Sequence, residues 1–378
     1  MPLTRQLRRV LNRLMGHGPW RVEPFDEVVR QKRAKATRPL SAPELFDGVV
    51  RQVPPDGFLL APIDFPTDSC YRLGGLAPEP RRELWLLSPG AVAGNAGVVY
   101  EPKTRTAVLE TVLDWHEPPV RHPLLSAPRF PAARPLPGLR LSLVTLSAEG
   151  FWHFLIEALP KLHLAAPWLD RIDHVLVNGL APPWKQRWMG RAGIGPDRII
   201  WVEGLSHYAC EQLLFTPPLV ADCLPTPWAV AALREVLLVP NTLGRPTRRI
   251  WAARSDAATR RPVWERELAS QLVGWECVEF SQLSPDAVIA LCGNAAVLAG
   301  PHGANLANAV FLPRNATIVE IVPPGPAKPL FHRLAAAAAL GYSQLTADFS
   351  SAADVARVVS HLQTTSARAP SLDHLSHQ

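Results

Sequence analysis

The chain has 378 residues, of which 47% are hydrophobic and 19% are charged, and this composition excludes a largely disordered protein. It is too long for one ordinary domain and suits two, each large enough for its own core. The formal net charge of +6 has four open explanations: nucleic acid, an anionic membrane surface, phosphorylated substrates, or simply an arginine-rich composition.

The cysteines and the hydropathy pattern bear on the cellular compartment. The five cysteines match neither a zinc site nor a disulfide framework, as expected in a reducing compartment. The N-terminus has no signal-peptide pattern, and no apolar run is long enough to span a membrane. We therefore expect a cytoplasmic protein, or one associated with the inner face of the membrane.

Residues 3–15 are predicted to form a short basic amphipathic helix, because leucines recur at helical spacing and arginines fill the other faces. Two alternatives stay open. An ordinary terminal helix would pack on its own domain, whereas a membrane-surface anchor would bury its leucines in the lipid interface. We assign residues 1–40 to this helix and a linker.

The middle of the chain changes character along its length. Residues 45–145 are typical of short strands joined by proline and glycine turns. After the strand 139–146, strands alternate with helices, which indicates parallel sheets built from βαβ units. We predict an N-terminal domain over residues 41–240, with a β-rich leader and a Rossmann-like half.

A second strand–helix series follows turn-forming residues at 241–247. We predict a C-terminal Rossmann-like domain over residues 241–345, in which a helix ends with Gly341 as its cap. Residues 346–378 are predicted to be a helix that packs on the body and a frayed tail. Two Rossmann-like domains that face a cleft would bind ligands at the carboxyl ends of their strands.

The sequence GPHGAN, residues 300–305, connects an apolar strand pattern to a predicted helix that begins near Ala304. The first N–H groups of a helix have no partner within the helix and can bind an anion. His302 and Asn305 would add hydrogen bonds to a diphosphate, and Glu320 ends the next strand, where a carboxylate can hold ribose hydroxyls. Alternatively the turn only connects two elements, and Glu320 is a solvated strand end.

The segment SAEGFWHFLIEALPKL, residues 147–162, is the second candidate site. Its apolar residues form one helical stripe, while His153 and Glu157 lie one turn apart on another face. This pair can share a hydrogen bond and act as a general acid or base, or it is an ordinary polar pair on a solvated face. Ser147 is predicted to cap the helix, and Pro160 to kink or end it.

Arginines form the third candidate site. Arg254 ends a predicted strand and Arg261 follows in a loop; their guanidinium groups either hold phosphate oxygens or belong to a solvated surface. The sequence has no H-E-x-x-H, no D-x-D pair of a metal-dependent sugar transferase and no G-x-S-x-G. It also lacks G-x-G-x-x-G and P-loop motifs, so nicotinamide dinucleotides and P-loop chemistry are not expected.

These three segments, in this order, resemble the family 61 glycosyltransferases. That family includes O-linked N-acetylglucosaminyltransferases, plant xylosyl- and arabinosyltransferases and many bacterial polysaccharide enzymes. The matching stretches are FWHFLIEALPKL, RRIWAAR with the arginines behind it, and GPHGANLANAVFLPRNATIVEI, which is the most specific. The resemblance covers about residues 140–345. This sequence departs from the family pattern at Gly150, where asparagine is usual, and at Trp264-Glu265, where Asn-Glu is usual.

The resemblance implies a GT-B fold and inverting transfer from a nucleotide-sugar, which we expect to be a UDP-sugar, with no cofactor and no bound metal. The acceptor would be a glycan, a polysaccharide or a lipid-linked sugar, and our candidate base is Glu157, oriented by His153. Glu320 would approach the nucleoside. The other residues expected to bind the donor are Arg254, Arg261, His302, Gly303, Ala304 and Asn305.

Two other functions stay open on the sequence. A noncatalytic nucleotide-sugar or glycan binding protein on the same scaffold would bind without turnover. A nucleic-acid binder is motivated only by charge. Because the arginines are dispersed and no basic stripe is interleaved with aromatic residues, we expect no nucleic-acid partner.

Overall fold

The computed structural model describes residues 4–7, 10, 19–34, 48–54, 80–127, 131–220, 223–240, 246–255, 257 and 259–368. The chain divides into two compact units: the first holds the described residues up to Val220, and the second holds those from Cys223 onward. The helix at 227–236, which the sequence assigns to the N-terminal domain, belongs to the second unit. The predicted domain ranges otherwise stay a prediction.

Within the described residues, no helix is both long enough and apolar enough to cross a membrane. Residues 5–7 and 10 are helical. The predicted basic helix 3–15 otherwise falls largely outside the described residues. The frayed tail, predicted over residues 364–378, is wrong for residues 364–368, which are helical, and its remainder lies outside the described residues.

The described part of the first unit is built on a ten-stranded mixed sheet. Its strands are β1 (Arg21–Glu23), β2 (Gly48–Gln52), β3 (Glu83–Leu87), β4 (Gly90–Ala93), β5 (Val98–Glu101), β6 (Thr106–Val108), β7 (Arg134–Ser142), β8 (His174–Asn178), β9 (Ile199–Val202) and β10 (His207–Phe215). The main path runs β1-β6-β5-β4-β10-β7-β8-β9, and β3 pairs with β2 and β10. Pairing is parallel from β10 through β7 and β8 to β9, and antiparallel where β3 and β4 meet β10. The predicted α/β class is therefore confirmed for this unit.

The α-helices described in the first unit beyond residue 10 are α1 (Phe25–Ala34), α2 (Phe151–His153), α3 (Lys161–Ala165) and α4 (Pro183–Arg191), with a π-helical turn at Phe154–Ala158. An aromatic cluster holds α1 on the sheet. Phe25 stacks on Trp85 with ring centroids 4.3 Å apart, and Phe215 meets both rings edge-on. All five residues of β3 are buried, as expected for a strand whose sequence is apolar from Leu84 to Leu87.

The second unit contains a five-stranded sheet in which every pair is parallel. Its strands are β11 (Arg248–Ala252), β12 (Glu276–Val278), β13 (Ala295–Pro301), β14 (Thr317–Val322) and β15 (Gly341–Thr346). The spatial order is β12-β11-β13-β14-β15, which is the order 2-1-3-4-5 of a doubly wound sheet. Its helices are α5 (Pro227–Val236), α6 (Glu265–Gln271), α7 (Pro285–Gly293), α8 (Leu330–Ala338) and α9 (Val355–Arg368).

The end of the chain is partly as predicted. Helix α9 packs on the body, because Val358 and Leu362 join the core cluster of Trp251 and Trp264. The predicted cap at Gly341 is wrong. Helix α8 ends at Ala338, the left-handed residue that follows it is Ala339, and Gly341 already belongs to β15.

Candidate functional site

The strand order of the second unit places β11 beside β13, at the point where the connections leave in opposite directions. In doubly wound sheets, ligands bind in the crevice outside the carboxyl ends of the strands at this switch point. Arg254 lies two residues past the end of β11, and His302 follows the end of β13 directly. Two of the predicted donor-binding residues therefore lie where this architecture places ligands.

The glycines of the GPHG turn let backbone and side chains approach closely. A β-carbon at Gly300 would lie 3.0 Å from both Cβ and the carbonyl oxygen of Ala252, so the glycine permits β11 and β13 to pack. A β-carbon at Gly303 would lie 1.7 Å from Nη1 of Arg254. The backbone of Gly303 is extended, so its need for glycine is steric: the guanidinium occupies the space that a side chain would fill.

His302 belongs to a buried polar network. Its Nδ1 is hydrogen-bonded to Oε1 of Glu320, and its backbone N–H donates to the carbonyl oxygen of Ile321 at 2.7 Å. The hydroxyl of Tyr342 donates to the other carboxylate oxygen of Glu320 at 2.6 Å. Glu320 is 1% exposed, so the alternative of a solvated strand end is wrong.

Arg254 is held in place through its backbone. Its N–H donates to both carboxylate oxygens of Glu265, at 2.9 and 3.0 Å, and Nη2 donates to the carbonyl oxygen of Thr259 at 2.9 Å. The indole of Trp251 donates to the same carboxylate at 3.1 Å. Burial raises the pKa of Glu265, and these hydrogen bonds and the charges of Arg254 and Arg261 oppose that rise. The buried carboxylate thus fixes the loop that carries Arg254.

Of the remaining predicted donor-binding residues, Ala304 and Asn305 follow the same turn directly, whereas Arg261 lies in another loop. Ala304 begins the predicted helix, which is a 3₁₀ helix over Ala304–Phe311. The side-chain amide of Asn305 donates to the carbonyl oxygen of Ala253 at 2.8 Å, so it ties this helix to the residue before Arg254. Arg261 is exposed in the loop that follows β11.

Sequence reasoning missed Tyr342, and it mentioned Glu265 only beside Trp264, where the sequence departs from the family pattern, without giving it a role. A signal for Tyr342 existed, because side chains two residues apart on a strand lie on the same face. Gln344 pairs with Glu320 in the β14–β15 register, so Tyr342 lies on the face of β15 that meets the Glu320 side chain. The role of Glu265 depends on a backbone contact, which composition does not reveal.

The second candidate site lies in the first unit, on the segment that begins at Phe151. Nδ1 of His153 is hydrogen-bonded to Oε1 of Glu157. Glu157 is only 8% exposed, so the alternative that the pair lies on a solvated face is wrong for Glu157. The helix is π-helical from Phe154 to Ala158 and resumes as α-helix at Lys161. The predicted interruption at Pro160 is thus confirmed, and π-helical turns frequently occur at functional sites.

The predicted cap at Ser147 is wrong. Gly150 occupies the cap position without a side-chain hydrogen bond. The backbone of Ser147 is left-handed, and its hydroxyl accepts a hydrogen bond from the indole of Trp115 at 2.9 Å. The same indole meets the ring of His153 edge-on, with centroids 5.5 Å apart. Ser147 therefore positions the ring that covers His153.

Two buried lysines support the loop before Phe151. Nζ of Lys185 donates to the carbonyl oxygens of Ala148 and Asn178, at 2.7 Å each. Nζ of Lys161 donates to the carbonyl oxygens of Leu143 and Val144, at 3.3 and 3.2 Å. Buried carbonyl groups need such partners, so the lysines fix the backbone from which His153 and Glu157 extend.

Comparison with protein families decides what this scaffold is. Residues 151–319 match the model of the family described as Glycosyltransferase 61. The chain carries a glycosyltransferase 61 domain. The resemblance expected from the sequence is confirmed, and the protein is a glycosyltransferase, an enzyme of class EC 2.4. Comparison with curated proteins gave no match.

The range that matches the family model contains most of the candidate site residues of this glycosyltransferase. It begins at Phe151, two residues before His153, and includes Arg254 and the GPHGAN turn. It ends one residue before Glu320, so Tyr342 lies outside it.

The buried lysines predict a pH dependence of stability. Burial lowers the pKa of Lys161 and Lys185 from 10.5 to about 8, against the smaller effects of the Glu157 and Glu149 charges. Between pH 8 and pH 10.5 the unfolded chain therefore binds more protons than the folded chain, so the lysines make the free energy of unfolding rise with pH. The free energy of unfolding can be measured with denaturant at pH 7.5 and pH 10. The value for wild type minus the value for Lys185→Met should be larger at pH 10.

The comparison with a variant is needed because other groups act in the opposite direction. Burial raises the pKa of the Cys210 and Cys292 thiols, which lowers stability at alkaline pH in both proteins and cancels in the difference. Lys103→Met, at an exposed position, is the control and should show no such gain. An equal difference at both pH values for Lys185→Met would contradict the prediction.

Proposed function

We propose that this glycosyltransferase transfers a sugar from a UDP-sugar to a hydroxyl group of a glycan or polysaccharide acceptor, with inversion and without a bound metal. The observation that carries the proposal is the placement of the Arg254 guanidinium against Gly303 at the switch point of the second unit. A fixed cation beside the first amides of a helix suits a diphosphate.

The donor would bind through groups of the second unit. In this proposal Arg254, His302 and the backbone of Gly303, Ala304 and Asn305 meet the diphosphate, with Arg261 reaching it from the loop. Glu320 contributes to the nucleoside side and orients His302. As the bond between the anomeric carbon and the diphosphate oxygen breaks, these donors stabilise the negative charge on the leaving group.

Transfer also needs a base for the acceptor. The acceptor oxygen forms a bond to the anomeric carbon while its proton passes to the Glu157 carboxylate, which the hydrogen bond from His153 orients. The burial of Glu157 and its support by a rigid backbone favour this role. The GT-B assignment and the inverting outcome rest on the family resemblance, and the proposed independence of metal rests on it and on the missing D-x-D pair.

The protein would work in the cytoplasm, where its basic N-terminal helix would contact the inner face of the membrane and lipid-linked acceptors. Leu7 and Val10 are 45% and 50% exposed, so the apolar residues of the described part of this helix are free to meet lipid. Arg5 is paired with Glu117 at 2.5 Å.

Removing the guanidinium should weaken donor binding. Arg254→Ala should reduce UDP affinity by ~1.5–3 kcal/mol, or about 10- to 150-fold, the range for a hydrogen bond to a charged group. Calorimetric titration with UDP in EDTA measures this. The matched control is Arg249→Ala, an exposed arginine on β11, the strand that precedes Arg254, and this variant should retain wild-type affinity. Full affinity in Arg254→Ala would remove that residue from the site.

The second prediction concerns Gly303. Gly303→Ala should weaken UDP binding by displacing the guanidinium of Arg254, because no room exists for a methyl group. Gly190→Ala is the matched control: position 190 is in a helix, and a β-carbon there would have no atom within 4 Å, so alanine should leave UDP binding unchanged. Equal UDP affinity in the two variants would show that the guanidinium position is unimportant.

The third prediction separates chemistry from binding. Glu157→Gln should lower the rate at which UDP is released from UDP-sugars by about a hundredfold or more, because the variant lacks the base. Its affinity for UDP should stay unchanged. Glu149→Gln changes an exposed carboxylate of the same segment and is the control. Unchanged turnover in Glu157→Gln would exclude this residue as the base.

A further inference from the structure

The network around His302 determines which of its ring nitrogens carries a hydrogen. A carboxylate only accepts hydrogen bonds, so Nδ1 of His302 must donate to Glu320. In the neutral ring the other nitrogen, Nε2, then has only a lone pair. Among the residues that the structure describes, Nε2 has no hydrogen-bond partner, and the ring rests edge-on against Phe331 at 5.5 Å.

The carboxylate itself is held by a second donor. Tyr342 has one hydroxyl hydrogen and two neighbouring oxygens, Oε2 of Glu320 at 2.6 Å and Oε1 of Gln344 at 2.9 Å. The shorter contact and the charged acceptor assign the hydrogen to Glu320. Both oxygens of Glu320 thus have hydrogen-bond partners inside the protein, which fixes the carboxylate in place.

A bare Nε2 cannot hold a phosphate oxygen, because both atoms would present lone pairs. It can donate only after the ring takes up a proton and becomes an imidazolium. The charge of that imidazolium would be balanced by Glu320 on one side and by the diphosphate on the other.

We propose that the donor diphosphate binds together with one proton, which His302 takes up on Nε2, and that Glu320 and Tyr342 are positioning residues for this step. The proposal rests on the proposed function, since it uses the same diphosphate site. The proton comes from solvent on binding and returns to solvent when UDP leaves, so no other reactant is needed.

Other charged and titratable groups near the ring are few within the described residues. Arg254 lies against the next residue, Gly303, and disfavours a second cation until the diphosphate is present. Helix α8 contributes His332, whose ring meets Tyr342 edge-on at 5.1 Å, and the buried Arg333. Because His332 is the other histidine near this network, the test must distinguish the two rings.

The experiment is calorimetric titration of the full chain with UDP at pH 8 in EDTA, repeated in buffers of different ionisation enthalpy. The dependence of the observed enthalpy on buffer enthalpy gives the number of protons taken up. We expect about one proton for wild type and for His332→Asn, and none for His302→Gln. UDP affinity of wild type should fall up to about tenfold per pH unit at alkaline pH, the limit for one linked proton.

Glu320→Gln provides a readout that a merely structural role would not change. A neutral amide can donate to Nδ1, which leaves the hydrogen of the neutral ring on Nε2, so the variant should bind UDP with no proton uptake. If this variant does not fold, nitrogen NMR of the histidine rings in wild type decides. Resonances absent from His302→Gln should report hydrogen on Nδ1 alone before UDP is added, and on both nitrogens afterwards.

The experiment distinguishes failure of this inference from failure of the proposed function. Wild type that binds UDP without taking up a proton, or proton uptake that persists in His302→Gln, overturns this inference and leaves the proposed function intact. A wild-type protein that binds no UDP at all overturns both.

Discussion

The hydrogen bond between His302 and the buried carboxylate of Glu320 joins two neighbouring strands of the second unit at the candidate donor site. It forms because parallel pairing aligns Gly300 with Glu320, so the residue that follows β13 meets a side chain of β14. A carboxylate at 1% exposure must have partners, and Tyr342 from β15 supplies the other one. Residues from or directly after three neighbouring strands thereby fix the orientation of one imidazole ring.

A similar arrangement supports the first unit, with different chemistry. There the buried groups are cations: Lys161 and Lys185 hold the carbonyl oxygens of the loop that leads to the π-helical turn. Both units thus use buried charge to fix backbone rather than to contribute to a hydrophobic core. Burying a charged group is unfavourable, because the group loses much of its solvation. In return, its hydrogen bonds hold nearby functional side chains in a precise position, as an enzyme requires.

The fold class and several candidate site residues could be predicted from the sequence, because they depend on patterns within short segments. Alternation of strand and helix patterns reveals the α/β class, and short motifs locate His153, Glu157, Arg254 and His302. What could not be predicted depends on pairing between distant segments. Tyr342 becomes relevant only through the register of β14 and β15, and Glu265 only through a bond to the Arg254 backbone. The cap at Ser147 failed because its hydroxyl bonds to Trp115, far away in sequence.

The topology of the first sheet also determines when the protein can fold during synthesis. Strand β3, whose five residues are all buried, pairs with β10, and the two are separated by most of the unit. On the ribosome, the β10 side of this largely apolar strand therefore stays unpaired long after β3 and its other partner, β2, have emerged, which exposes it to aggregation and to chaperones. The parallel sheet of the second unit is built from consecutive segments, β11 to β15, and can form as they leave the exit tunnel.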